Sequence, residues 1–183
     1  MLFRSLANRW KNVRLIAAGA RARATGTARL LRSVPGGLLV QEADALAVDG
    51  AAFQHVAGPA PSDATRADAA FLAVVSKHLK SNAVCIGGGG ALWGAGAGQM
   101  DRVAACRHAV EKASARLKAP GKIVPVAASD AFFPFDDGPR ALIDAGVGCL
   151  VHPGGSKRDA DTEALCNQRG VTLLISGVRH FRH

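Results

Sequence analysis

The chain has 183 residues, which suits one domain or one domain with an appendage. Apolar residues make up 49% of it, so a substantial core can form, and no apolar run approaches the roughly 20 residues of a membrane span. The net charge is +9, yet eight basic residues and no acidic residue precede Glu42. A nucleic-acid or membrane-surface patch, a targeting segment and a solvated edge are all compatible with that bias. No aromatic residues interleave the arginines as a stacking set, which ranks nucleic acid last and favours the solvated edge.

Cysteine usage argues against a metal site. The four cysteines lie far apart, with no C-x-x-C or His-x-Glu pair, so we predict neither zinc nor another metal. Each lies in an apolar context, which predicts buried thiols in a reducing cytoplasm.

The first third of the chain predicts a strand, a hairpin and a helix. Residues 13–18 indicate a short buried strand, and residues 30–41 are two apolar runs around a Pro-Gly-Gly turn. A Pro-rich connector over residues 56–68 leads into a helix capped by Ser62 or Asp63. Its predicted apolar face consists of Phe71, Val74, Val75, His78 and Leu79.

The remainder alternates between strands and helices. Residues 83–98 predict two strands around a four-glycine turn, and a helix begins near residues 99–100. Short apolar runs at 122–129, 148–153 and 171–176 have strand length, with helical stretches at 139–145 and 159–168 between them. The alternation predicts an α/β sheet covered on both faces. The apolar stripe of the middle helix is Val103, Cys106, Val110, Ala113 and Leu117.

Four loops are expected at the sheet edge where such folds bind ligands. Residues 77–83 supply the Asn82 carboxamide. In residues 93–102 glycines lead into a helix N-terminus, which indicates either an anion-binding site or glycines used for close packing. Residues 129–138 hold three of the seven Phe beside carboxylates, a combination that suits a planar heteroaromatic ligand, with one Phe expected in the core. Residues 152–159 either bind an anion or turn the chain.

The last strand delivers a basic and aromatic segment to the same edge. Arg179 offers a planar fork that matches phosphate, and His180, Phe181, Arg182 and His183 follow it. Together with the Phe-rich loop this predicts a pocket for a phosphorylated heterocycle. The residues alone do not define a reaction.

Several motifs in collinear order resemble a known family. "LLRSVPGGLLVQEAD", "KHLKSNAV", "GAGQMDRV", "ASDAFFPFDDG", "HPGGSKRD" and the terminal "SGVRHFRH" resemble the C-terminal half of the AICAR formyltransferase domain in the bifunctional purine-biosynthesis family. The resemblance implies a cytidine-deaminase-like three-layer α/β/α unit with a mixed sheet, preceded by a small β-hairpin segment. It divides the chain into a basic extension (1–12), a hairpin segment with the Pro-rich connector (13–61) and the deaminase-like unit (62–183).

The resemblance also implies functions for individual residues. It implies formyl transfer from 10-formyltetrahydrofolate to AICAR on the way to IMP, with no metal, in a cytoplasmic enzyme. No residue is assigned as catalytic; Asn82 is supportive. Folate would contact Val103, Pro134 and Asp137. The substrate would contact Asn82, Arg102, Phe132, Arg179, Phe181 and His183.

The departures from the family are equally informative. The family's catalytic Lys-His pair belongs to a first half that this sequence lacks, and Lys77-His78 is a different pair. Asp101 replaces the usual Ser and Lys157 an apolar residue. Two hypotheses follow: half of an enzyme that needs a complementary polypeptide, or a non-catalytic AICAR-binding, regulatory or relic module that pairs with a full-length enzyme. A homodimer or a complex with the first half is expected, and neither a membrane nor nucleic acid.

Overall fold

The computed structural model describes residues 29–119 and 121–182. Contacts within the chain separate two units, Met1–Ala45 and Leu46–His183. The extension predicted for residues 1–12 and the strand predicted for residues 13–18 lie outside the described residues. Within the described ranges no helix has the length and apolar character needed to cross a bilayer.

The described part of the first unit contains the predicted hairpin. Strands β1 (Arg29–Val34) and β2 (Gly37–Glu42) pair antiparallel, in a register that runs from Arg29 opposite Glu42 to Val34 opposite Gly37. Gly36 in the turn has φ +83°, a left-handed conformation that side chains other than glycine rarely adopt.

The second unit is built on a six-stranded mixed sheet of order β3-β8-β7-β6-β4-β5. β6, β7 and β8 are parallel to one another, whereas β3 and β4 run antiparallel to their neighbours β8 and β6, and β5 runs antiparallel to β4. Strand β3 lies within the segment predicted as hairpin and connector. The elements are 3₁₀ Gly50–Ala52, β3 Gln54–Ala57, α1 Asp63–His78, β4 Val84–Gly88, β5 Ala91–Gly96, α2 Arg102–Leu117, β6 Val126–Ser129, α3 Asp137–Asp144, β7 Cys149–His152, α4 Asp159–Arg169 and β8 Thr172–Ile175.

Helices cover both faces of this sheet, which confirms the predicted α/β fold class. Alternate strand residues face opposite layers: Ile86, Leu150 and Leu173 pack with α2, α3 and α4. Cys85 and Leu174, with their counterparts on β6 and β7, pack with α1 on the other face.

The predicted apolar face of α1 is right only in part: Val75 and Leu79 pack against the core, whereas Phe71, Val74 and His78 are exposed. Phe71 and Val74 are 38% and 41% exposed, while the helix buries Ala69, Leu72 and Ala73. The small Ala side chains let the helix approach the sheet closely, Leu72 is fully buried between them, and Phe71 and Val74 face outward. The Ser62 cap is confirmed, because its hydroxyl accepts a hydrogen bond from the Thr65 N–H at 3.1 Å.

Candidate functional site

The topology gathers the four predicted loops at one edge of the sheet. The carboxyl ends of the parallel strands β6, β7 and β8 lie together there, and β4, antiparallel to β6, begins at the same edge. The segments at this edge are therefore residues 81–83 before β4, residues 97–101 after β5, the Phe-rich loop after β6, the Pro-Gly-Gly loop after β7 and, in addition, the C-terminal segment after β8.

The C-terminal segment and the Phe-rich loop meet at Arg179. Its guanidinium carbon lies 4.7 Å from the centroid of the Phe132 ring, a cation–π distance. A Cβ atom at Gly155 would lie 3.0 Å from the Arg179 Nη2 atom, so the absence of a side chain there makes room for the guanidinium. Arg179 is exposed and Phe132 half-buried. The edge thus presents a planar cation on an aromatic face.

Backbone hydrogen bonds hold the C-terminal segment against two loops. The His180 N–H donates to the Asp130 carbonyl at 3.1 Å, and the Ser81 N–H donates to the Arg182 carbonyl at 2.8 Å. The Arg182 N–H donates to the Ser81 hydroxyl at 3.0 Å, and its Nη1 donates to the His78 carbonyl at 3.0 Å. These bonds restrict the position of Arg179, although it lies near the end of the chain.

The three Phe of the Phe-rich loop have three different environments. Phe133 is fully buried and meets the His152 ring edge-on at 5.3 Å, which confirms that one Phe belongs to the core. Phe132 faces Arg179. Phe135 is exposed, with the Arg158 guanidinium 5.2 Å from its centroid. The loop therefore presents two separate arginine–aromatic pairs, one of them beside the C-terminal segment.

Arg102 is buried and donates to groups within the protein. It is 7% exposed, and Nη1 donates to the carboxylate of Asp130 and, at 3.1 Å each, to the Ala83 carbonyl and the Ser129 hydroxyl. Nη2 donates to the Asn82 carboxamide oxygen at 2.8 Å. The structure thus brings the predicted pair Asn82 and Arg102 together, below the exposed surface of the site.

Carboxylates of the chain itself occupy the two loops for which an anion was considered. The Asp101 carboxylate accepts from the Ala104 N–H at 2.6 Å as the N-cap of α2. The Asp159 carboxylate accepts from the Gly155 and Ser156 N–H groups at 2.7 and 3.1 Å. Glycines of β5 serve close packing, because a Cβ atom at Gly96 would overlap the Ala105 carbonyl.

His152, at the end of β7, is neutral in the folded protein. It is 1% exposed, and burial, the largest cause, lowers its pKa from 6.5 to about 4; the nearby Asp159 opposes the shift and Arg102 adds to it. Its Nδ1 atom accepts from the Gly154 N–H at 3.0 Å. His152 therefore fixes the start of the Pro-Gly-Gly loop.

The remaining predicted residues lie around this edge. Val103 is half-buried in the first turn of α2, Pro134 and Asp137 are exposed, and Phe181 is 47% exposed; His183 lies outside the described residues. Lys77 donates to the Leu46 carbonyl at 2.5 Å, and His78 is exposed. Among the described residues no group of three or more His, Cys, Asp or Glu side chains is arranged to hold a metal ion.

Ser81 was not among the predicted site residues, Asp130 was predicted only as a carboxylate beside the Phe-rich loop, and Arg182 only as part of the C-terminal segment. Asp130 follows a buried strand and is itself 1% exposed. An acidic residue directly after a buried strand was the sequence signal that could have indicated its buried ion pair. Ser81 and Arg182 give no such signal, because their contacts join segments 101 residues apart.

A cavity of about 100 Å³ lies under the C-terminal segment on the α1 side. Its walls include Phe53, Ala73, Ser129, Ser176 and His180. Pockets for nucleotide-sized ligands usually have volumes of about 300–1,000 Å³. The cavity is therefore too small to enclose a nucleotide.

Comparison with known proteins agrees with this α/β architecture and its motifs. A model of the family described as AICARFT/IMPCHase bienzyme matches residues 3–112. The bifunctional purine biosynthesis protein PurH of Mesorhizobium japonicum is 43% identical over 178 residues, 94% of this chain and 33% of that protein. The PurH proteins of Roseobacter denitrificans and Mycobacterium leprae are 43% and 45% identical over 94% of the chain and 34% and 32% of their own lengths.

The fold defines the chain as an α/β domain built on a mixed six-stranded sheet. It belongs to the AICARFT/IMPCHase bienzyme family. It spans about a third of the length of these curated relatives.

Proposed function

We propose that this chain is the second half of an AICAR formyltransferase, which binds AICAR monophosphate and takes part in formyl transfer from 10-formyltetrahydrofolate during IMP biosynthesis. One observation carries the proposal. Arg179 stacks on Phe132 at 4.7 Å, exposed at the sheet edge and beside Gly155. Within the described residues Arg179 has no ion pair, so its fork is available to a phosphate.

The chemistry of the reaction indicates what this half supplies and what it lacks. The AICAR amine forms a bond to the formyl carbon, the bond from that carbon to folate N10 breaks, and one proton passes from the amine to N10. An aromatic amine is a weak nucleophile, so orientation and a base both matter. His152 is buried and engaged with Gly154, so in this proposal the chain binds and orients the substrate.

The base then belongs to the complementary half. The family resemblance assigns a Lys-His pair to it. In this proposal Asn82 orients the substrate, and Val103, Pro134 and Asp137 contact the folate. We propose a homodimer or a complex with the first-half polypeptide, in the cytoplasm, where the free buried thiols stay reduced. Sedimentation of the purified chain, alone and mixed with a first-half polypeptide, tests the assembly.

Calorimetric titration tests the binding step. Wild-type chain should bind AICAR monophosphate more tightly than the unphosphorylated nucleoside. Arg179→Ala should lower the affinity for the nucleotide by about ten- to a hundredfold and the affinity for the nucleoside by less than about threefold. The reason is that a charge-assisted hydrogen bond is worth about 1.5–3 kcal/mol.

Arg158→Ala is the matched control, since Arg158 also lies over a Phe ring but is paired with Asp161. It should change neither affinity. Equal losses for nucleotide and nucleoside in Arg179→Ala, or no nucleotide binding by the wild type, would contradict the proposal.

A second candidate function is a non-catalytic module that binds AICAR or regulates a full-length enzyme. It is favoured by His152, which is buried at this edge and accepts from the Gly154 N–H, so that it orients the loop and does not act on a substrate. Formyl transfer on mixing this chain with a first-half polypeptide selects the enzyme, whereas nucleotide binding without turnover in that mixture selects the module.

A further inference from the structure

We propose that Asp130 is a positioning residue, which acts through the Arg102 guanidinium to fix the orientation of the Asn82 carboxamide. The inference rests on the proposed function, because Asn82 is a proposed substrate contact. Asp130 and Arg102 do not themselves touch the ligand in this proposal. Arg102 holds the Asn82 carboxamide and does not contact the substrate directly.

The first step is the surroundings of the Asp130 carboxylate. Its side chain is fully buried beside Arg102, which is 7% exposed. Asp130 Oδ1 accepts from the Arg102 Nη1 group and, at 3.2 Å, from the Ala83 N–H. In return the Asp130 N–H donates to the Ala83 carbonyl at 3.2 Å. The carboxylate therefore fixes both the guanidinium and the backbone beside Asn82.

The second step is the Asn82 carboxamide itself. Its oxygen accepts from Arg102 Nη2 at 2.8 Å, and its nitrogen donates to the Gln99 carbonyl at 3.0 Å. A guanidinium only donates and a carbonyl only accepts, so these neighbours permit one of the two amide orientations. The planar guanidinium presents Nη1 to Asp130 and Nη2 to Asn82 in a fixed geometry, whereas a lysine ammonium has no preset fork.

The third step is the link to the rest of the edge. The Asp130 carbonyl accepts from the His180 N–H at 3.1 Å, one residue beyond Arg179. Asp130 thus connects the Asn82 carboxamide, on the β4 side, with the C-terminal segment that carries Arg179, the proposed phosphate-binding residue. That connection supplies a reason for a fully buried charge at this point of the sheet.

The first test needs no ligand. The side-chain ¹⁵N–H₂ resonances of Asn82 are recorded by NMR for the wild-type chain, Asp130→Asn and Arg102→Lys. Both substitutions should shift these resonances and speed their exchange with water. Asp144→Asn is the control, because Asp144 is exposed and paired with Arg169, and should leave them unchanged. Unchanged Asn82 resonances in Asp130→Asn overturn the inference.

A paired variant covers loss of folding. If Asp130→Asn does not fold, Arg102→Gln/Asp130→Asn removes both charges and leaves no unpaired one buried. Its Asn82 resonances should also shift, and resonances like those of the wild type would equally contradict the assignment.

The second test is a double-mutant cycle on AICAR monophosphate affinity. Asp130→Asn should weaken binding about tenfold in the wild-type background and less than about twofold in the Asn82→Ala background, because the effect passes through Asn82. Equal losses in both backgrounds indicate a merely structural role and overturn the inference. If the wild type binds no nucleotide, the proposed function fails, while the resonance test still decides the positioning role.

Discussion

Arg102 and Arg179 lie at the same edge of the sheet, and their guanidinium groups have opposite surroundings. Arg102 is 7% exposed and donates to Asn82, Ala83, Ser129 and Asp130. Arg179 is exposed and rests on the Phe132 ring. The difference teaches that the internal acceptors around an arginine, more than its place in a motif, separate a structural arginine from one available to a ligand.

The largest expected effect comes from Arg102→Ala. It leaves the buried Asp130 carboxylate without its cation and should lower the free energy of unfolding by about 3–5 kcal/mol. Urea denaturation followed by circular dichroism measures it. A loss below about 1 kcal/mol would mean that Arg102 contributes no more to stability than an exposed arginine, which would contradict the contrast with Arg179.

Acid should destabilise the fold through His152. Its folded pKa of about 4 lies below the ordinary value of 6.5, so between these values the unfolded chain binds a proton that the folded chain does not. Stability should therefore fall as the pH drops from 6.5 to 4, by about 3 kcal/mol for this group, with no contribution above pH 6.5.

The measurement is the free energy of unfolding across this range for the wild type and for His152→Gln. Subtracting the two curves removes the other titrating groups. Parallel curves would show that His152 titrates alike in both states.

The contrast between buried and exposed charged groups also applies to two carboxylates away from the site, Asp68 and Asp144. Asp68 accepts from the Gly89 and Gly90 N–H groups at 2.8 and 2.7 Å, so it holds the glycine turn between β4 and β5. Asp68→Ala should cost about 1–3 kcal/mol of stability. Asp144→Ala, at an exposed ion pair, should cost about 0–1 kcal/mol; equal thermal melting temperatures for the two variants would contradict this.

The smallest effect is expected for the other arginine. Arg179→Ala should change the free energy of unfolding by less than about 1 kcal/mol, because an exposed cation loses little packing and is well solvated. Combined with the loss of nucleotide affinity predicted above, this separates binding from folding. A destabilisation as large as that of Arg102→Ala would assign Arg179 to the architecture instead.

Much of the fold, and the position of Arg179, could be predicted because strand alternation and loop position follow from local patterns. The glycine turn between β4 and β5, the hairpin and the edge position of Arg179 are of this kind. The inward orientation of Arg102 is not, since it depends on Asp130, 28 residues away. The buried face of α1 was missed for another reason: Ala69 and Ala73 give a weak hydrophobic signal, whereas Phe71 and Val74 give a strong one and stay exposed.

The four cysteines are distributed evenly between the two core layers. Cys85 and Cys149 lie on the α1 side of the sheet, and Cys106 and Cys166 on the other. All four are buried, and burial raises the pKa of each thiol to about 12, so an alkylating reagent reaches a thiolate only when that layer opens. The cysteines therefore report on the two core layers separately. The rate at which each cysteine peptide is alkylated, measured by mass spectrometry, would give the opening rate of its layer without any added probe.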